Sequence, residues 1–241
     1  MISGWQIVAD IFCTGLLLIF SFLLTVVAPI RPFYIDISEW NRHYYNQPIP
    51  EEEPLWIMAV FIWIIPIVLI SIVTLVFLRS IPKTLLHIAN FVYTAALVIF
   101  ITALFRYFFP SPRPYYYTLC ADQSSPHIQG YSNMSKTCVN KVHKRDLQSF
   151  PSGHTSAVWA AWIYLLLIFT ALSRAFRNRG GFWKLFLFVA PMFIIPIWMS
   201  GTRYTTGNHF LYEILIGTLI GIIIPFITFY NVDADLFRRS D

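Results

Sequence analysis

Polar positions are so sparse along much of this chain that neither a strand period of two nor a helical period of 3.6 can be traced through its longest apolar runs. A run that is apolar on every side, uncharged and about 18 or more residues long is the pattern of a helix crossing a bilayer, where the backbone must satisfy its own hydrogen bonds. Six stretches fit: 11–30, 54–78, 88–105, 155–173, 185–202 and 214–232. The reading is an all-α, polytopic membrane protein of six transmembrane helices, with residues 1–241 forming one membrane-embedded domain. No internal repeat or linker divides it. A soluble six-helix core would need polar faces that these runs lack.

Prolines 66, 191, 196 and 225 fall inside the runs and predict kinks, which neighbouring membrane helices can accommodate. Gly217 and Gly221 form a GxxxG in the last run, a pattern of close helix packing that supports no dimer by itself. No cleavable signal peptide is expected, because the first ten residues carry no Lys or Arg and no small-residue site closes the first run.

Composition agrees with this pattern: 57% of residues are hydrophobic and 12% charged, about half the charged share of soluble domains. With six spans the termini share one side with the connections at 79–87 and 174–184. The loops at 31–53, 106–154 and 203–213 share the other. Arg79, Lys83, Arg174, Arg177, Arg179, Lys184, Arg238 and Arg239 argue for a cytosolic terminal side. Nine Lys and Arg in the longer opposite loops leave the count undecided. Asn133, in an Asn-Met-Ser glycosylation sequon, and Cys120 and Cys138, placed where a disulfide is permitted, favour a lumenal or extracellular face there. Cys13 reads as a small apolar filler of the first span.

The formal net charge of +5 matters less than where the cations fall. Arg106 closes the third span and Arg113 follows it. Ser152, Gly153 and His154 open the fourth, Arg203 closes the fifth, and His209 and Glu213 lead into the sixth. Topology alone brings them to one membrane face. His43, His127, His143 and His87 sit in polar loops or at a basic edge, where a solvated surface role suffices.

Three guanidiniums match the oxygens of a tetrahedral phosphate, and a Pro-Ser-Gly turn feeding a helix offers a hydroxyl and N–H groups at a positive terminus. His209 and Glu213, at i and i+4, share a face if the sixth helix starts near Asn208. The carboxylate then fixes the imidazole tautomer and raises the basicity of the free nitrogen. His154 is free to protonate a leaving oxygen. Two histidines and a carboxylate also suggest a metal, but three arginines would repel a cation, and neither an HExxH nor a cysteine cluster is present. A hydrolase built on Ser152 would leave the arginines unexplained.

In order and spacing, Arg106-x6-Arg113-Pro114, then Pro151-Ser152-Gly153-His154, then Arg203-x5-His209-x3-Glu213 resembles the three-part signature of the type 2 phosphatidic acid phosphatase superfamily. The six-span layout is similar too, and the segment from Arg31 to Tyr45 is similar to that family's short lumenal loop. The resemblance implies a PAP2-like helical bundle and a lipid phosphate phosphatase acting without metal or other cofactor. His209 would be the nucleophile forming a phosphohistidine, with Glu213 orienting it and His154 as general acid and base. Arg106, Arg113, Ser152, Gly153 and Arg203 would bind the phosphate. Expected partners are a lipid phosphate and the bilayer, with no nucleic acid. The location implied is the endoplasmic reticulum, Golgi or plasma membrane.

The chain departs from the family pattern at Arg106, where lysine is usual, at Glu213, where aspartate is usual, and at Thr202, where serine is usual. Two other functions stay open: a phosphotransferase that passes the phosphoryl or phospho-headgroup to an alcohol, as in sphingolipid synthases, and a non-catalytic lipid-phosphate binder. Retention of the arginines favours water as acceptor, and retention of both histidines favours catalysis.

Overall fold

The computed structural model describes residues 4–29, 34–36, 55–115, 131–133, 144–175 and 181–238, with side chains over a narrower part of these. The helices are α1 (Gly4–Phe22), α2 (Leu55–Ala59), α3 (Ile65–Leu78), α4 (Ile81–Phe108), α5 (Gly153–Ala175), α6 (Gly181–Thr205) and α7 (Leu211–Arg238). A π-helical turn, Leu23–Val27, continues α1, and another, Val60–Ile64, joins α2 to α3. Pro66 falls in the first turn of α3, so the second apolar run carries a local change of helical winding where a proline kink was predicted. Two short strands, β1 (Tyr34–Asp36) and β2 (Tyr131–Asn133), pair antiparallel and tie the two longest loops together.

Among the described residues five helical segments are long and apolar enough to cross a membrane: Val8–Val27, Trp56–Leu78, Ile81–Phe108, Gly153–Leu172 and Leu211–Tyr230. The protein is an integral membrane protein. The expected span at 185–202 lies within α6, which at 25 residues is about 37 Å long. The third span begins well before residue 88. Pro82 suits the first turn of α4, and the backbone reverses just before it, with Arg79 in a left-handed conformation (φ 48°).

Burial separates the helices by role. In α5, 78% of the spanning window is buried, against 6% in α1. Helix α5 is therefore the hub: Val158, Tyr164, Leu165, Ile168 and Leu172 pack with Ile70, Phe91, Met199 and Phe229 from the surrounding helices. Indole and hydroxyl groups crossing this core find acceptors. Trp159 Nε1 donates to Ser200 Oγ at 3.1 Å, and Trp162 Nε1 to the Phe61 carbonyl at 3.2 Å. Thr94 and Thr102 reach Thr228 and Ser156 at 2.8 and 3.1 Å.

The GxxxG works inside the chain. A Cβ on Gly217 would lie 2.7 Å from the Ser152 carbonyl oxygen. One on Gly221 would lie 2.5 Å from the Ser156 oxygen and 2.6 Å from Trp159 Cβ. These two glycines let α7 press against α5, which sets the N-terminus of one beside the N-terminus of the other.

One surface reading is corrected. His87 is 3% exposed, because it lies inside the longer α4 and faces the bundle, where its carbonyl accepts from Tyr164 Oη at 3.3 Å. Cys13 is exposed on α1, within the first apolar span. His43, His127, His143, Cys120 and Cys138 lie outside the described residues.

The α5–α7 seam can be tested with two glycines. Gly221→Ala is expected to destabilise the detergent-solubilised protein by about 1–3 kcal/mol, the range for overpacking. Gly201→Ala, whose Cβ would meet nothing within 4 Å, should leave stability unchanged or slightly higher. Thermal unfolding of both variants beside the parent checks the contrast.

Candidate active site

The third motif is assembled by the turn between α6 and α7. Arg203 lies in the last turn of α6, and its carbonyl accepts from the N–H groups of both Asn208 (3.1 Å) and His209 (3.2 Å). This reversal needs a left-handed residue, and Gly207 supplies it (φ 68°). Helix α7 then starts at Leu211, not near Asn208 as the spacing suggested. Glu213 is its third residue, and its Oε2 accepts from the Phe210 N–H at 3.0 Å, the reciprocal arm of a capping box. His209 therefore precedes the helix, yet its Nδ1 still lies 3.1 Å from Glu213 Oε2.

That carboxylate is wholly buried, and His209 is 2% exposed. Two serines complete its surroundings. Ser149 Oγ donates to Glu213 Oε2 at 2.5 Å and lies 3.2 Å from His209 Nδ1. Ser111 Oγ donates to Glu213 Oε1 at 3.2 Å. The serines are themselves held by a backbone zipper. Ser111 N–H donates to Leu147 O, Arg113 N–H to Asp146 O and Ser149 N–H to Ser111 O, at 2.9–3.2 Å. Tyr115 Oη anchors Asp146 at 2.8 Å.

The cations converge on the same place. Arg106, in the last turn of α4, donates through Nε and Nη2 to the Pro151 carbonyl, both at 3.4 Å. Its guanidinium covers Gly153 so closely that a Cβ there would lie 2.5 Å from Nη2. First and second motifs thus interlock through the absence of a side chain. Arg113 Nη1 donates to Asn208 Oδ1 at 2.8 Å, while Asn208 Nδ2 donates to Thr206 Oγ1 at 2.8 Å. Arg203 is 5% exposed. His154, the second residue of α5, is partly exposed and within electrostatic reach of Arg203, His209, Arg106 and Arg113.

All eight site residues read from the sequence, Arg106, Arg113, Ser152, Gly153, His154, Arg203, His209 and Glu213, are brought to one end of the bundle. Ser152 is fully buried: its N–H donates to the Glu213 carbonyl at 3.1 Å, and its hydroxyl meets Thr155 Oγ1 at 2.9 Å. Thr202 turns its hydroxyl back onto the Met199 carbonyl of its own helix. Asn133 lies in β2, opposite Tyr34. Ser111, Ser149 and Asn208 were missed. The only sequence signal bearing on this shell was the Phe210-x-x-Glu213 spacing of a helix start.

Electrostatics also differ from expectation at His209. Burial first, and then the charges of Arg113, Arg106 and Arg203, push it well below the ordinary imidazole value of 6.5. This environment favours the neutral imidazole at His209.

Three arginines, a buried histidine beside a buried glutamate and a second histidine at a helix start are thus gathered at one end of a bundle of membrane-crossing helices. The profile of the PAP2 superfamily matches residues 87–236, more than half the chain, and the chain belongs to that superfamily. It is 22% identical over 96% of its length to a PA-phosphatase related-family protein of Dictyostelium discoideum, and 25% identical over 92% to probable lipid phosphate phosphatase 4 of Arabidopsis thaliana. A probable diacylglycerol pyrophosphate phosphatase 1 of Schizosaccharomyces pombe is 26% identical over 54% of this chain. The chain spans 65%, 72% and 47% of the lengths of these relatives. No solved structure matches it.

The lowered proton affinity of His209 has a defined sign. Below 6.5 an unfolded chain binds a proton there that the folded protein does not, so stability falls as pH drops through that window. In ¹⁵N-histidine NMR, the resonance missing from His209→Ala should stay uncharged at and below pH 6.5. A titration midpoint at or above 6.5 would contradict the buried, cation-flanked placement.

Proposed function

We propose that this protein is a lipid phosphate phosphatase that hydrolyses a phosphomonoester at the membrane face through a phosphohistidine. The observation that carries the reading is the buried 3.1 Å contact between His209 Nδ1 and Glu213 Oε2, set among three arginines. With Nδ1–H held by the carboxylate, Nε2 keeps its lone pair for attack.

In the first step a bond forms from His209 Nε2 to phosphorus and the phosphorus–ester oxygen bond breaks. His154 gives its proton to the departing alkoxide. In the second, His154 takes a proton from water, whose oxygen displaces His209 and releases inorganic phosphate. Arg106, Arg113 and Arg203, with Gly153 and the first-turn N–H groups of α5, hold the phosphoryl oxygens as charge shifts. Ser152 supports this terminus from beneath. Three guanidiniums gathered around His209 suit the oxygens of a phosphomonoester dianion and disfavour a metal cation.

A lipid is favoured over a soluble phosphate by what borders the site. Phe108, Phe109, Leu211 and Tyr212 are all about half exposed at the ends of α4 and α7. Phe150, next to the second motif, packs on Phe105, Phe109 and Tyr212 with ring centroids 6.1–6.3 Å apart. Such aromatic residues sit well at a headgroup boundary, so the phosphate is held in the polar layer while the tail stays in hydrocarbon. The relatives' names agree with this substrate class. We assign the site, with Asn133 as a glycosylation acceptor, to the lumenal or extracellular side, and the basic connections to the cytosol.

Detergent-solubilised protein given phosphatidic acid in EDTA is expected to release inorganic phosphate, and His209→Ala to reduce the release by at least about 10³-fold, since the group that forms the covalent bond is gone. Phosphate transfer to an added alcohol in place of release would identify a phosphotransferase. Binding of lipid phosphate with neither reaction would identify a non-catalytic binder.

A further inference from the structure

Within the reading of His209 as nucleophile, one question is what holds Glu213 in place. A carboxylate one methylene longer than aspartate has an additional torsion to fix. At 0% exposure it has no water to satisfy its lone pairs. Its four partners come from three separate segments: Ser111 after α4, Ser149 before α5, and His209 and the Phe210 N–H at the start of α7. A backbone N–H can only donate, and an ionised carboxylate can only accept.

With Glu213 ionised, the ring formed by Ser149, Glu213 and His209 has one proton arrangement that leaves no clash. Ser149 O–H donates to Oε2 at 2.5 Å, so its oxygen is left as an acceptor. His209 Nδ1, at 3.1 Å from Oε2 and 3.2 Å from Ser149 Oγ, must itself carry a hydrogen, shared between the two oxygens. A bare Nδ1 lone pair would face an acceptor on each side. With Nδ1 protonated on a neutral ring, Nε2 is left unprotonated. The serine thus acts on the tautomer as well as on the carboxylate. Ser111 holds the other carboxylate oxygen and fixes the terminal torsion of Glu213.

We propose that Ser149 and Ser111 are positioning residues for the nucleophile, with Ser149 the stronger: together with Glu213 they lock His209 in the tautomer that presents Nε2. Both hydroxyls are turned onto Glu213, so their loss should appear in kcat and not in substrate affinity. This inference rests on the phosphatase reading, but its geometry can be tested without turnover.

The experiment pairs kinetics on phosphatidic acid with ¹⁵N-histidine NMR, in which His209 is identified by its absence from His209→Ala. Ser149→Ala should lower kcat by about 10- to 100-fold, as expected for losing a hydrogen bond to a charged group, with KM within about twofold of the parent. Ser149→Thr, which keeps the hydroxyl, should recover most of the loss, and Ser111→Ala should show a smaller fall of the same kind. In the spectra, the parent should carry its His209 hydrogen on Nδ1, and Ser149→Ala should show a mixture of tautomers. Size-exclusion profiles confirm that each variant is folded. An Nδ1–H tautomer that Ser149→Ala disturbs, in a protein that releases no phosphate, upholds the positioning role and removes the phosphatase reading. Phosphate release by the parent, with Ser149→Ala matching it in both kcat and tautomer, overturns the positioning role and leaves the phosphatase reading intact.

Discussion

A carboxylate sealed from water at the edge of a membrane span imposes the main constraint on this molecule. Left without donors, the buried charge of Glu213 would cost several kcal/mol. Its donors come from the segment after α4, the segment before α5 and the turn before α7, three places far apart in the chain. Satisfying one side chain therefore requires three helix ends to meet. The backbone zipper between 111–113 and 146–149 brings two of them together, and the glycine seam between α5 and α7 brings the third.

The same convergence creates the opposite problem for the cations. Arg106, Arg113 and Arg203 all act on His209, so they also repel one another. Local partners hold them in place: Arg106 reaches the Pro151 carbonyl and Arg113 the Asn208 amide oxygen. These neutral acceptors fix the guanidiniums without cancelling their charge. A site held together this way keeps its positive field, and the proposed phosphate would meet guanidiniums already in place. It also keeps His209 from becoming a fourth cation, which would remove the lone pair the proposed chemistry uses.

Much of this was legible in the sequence, though unevenly. The spans could be read because an uncharged run of 18 or more residues has few stable alternatives. Arg106, Arg113, His154, Arg203, His209 and Glu213 could be grouped because helix ends alternate between two membrane faces. Ser111, Ser149 and Asn208 could not. A loop serine has no period, and its role depends on a backbone zipper between segments 38 residues apart in the case of Ser111 and Ser149. His87 was misplaced because a histidine near a helix end gives no sign of which face it occupies until the helix boundary is known. The GxxxG letters announced a close approach but could not name the partner helix, which proved to be α5 of the same chain.

The reach of the Glu213 side chain suits the place where α7 begins. Glu213 sits three residues beyond Phe210, and the N–H it must reach is the one that opens the helix. The oxygen that caps this N–H is also the oxygen that faces His209 Nδ1. Helix initiation and orientation of the histidine are thus the work of one atom, so α7 cannot start elsewhere without releasing the imidazole. That coupling ties His209, which lies outside the helix in a turn that depends on glycine, to the first turn of α7.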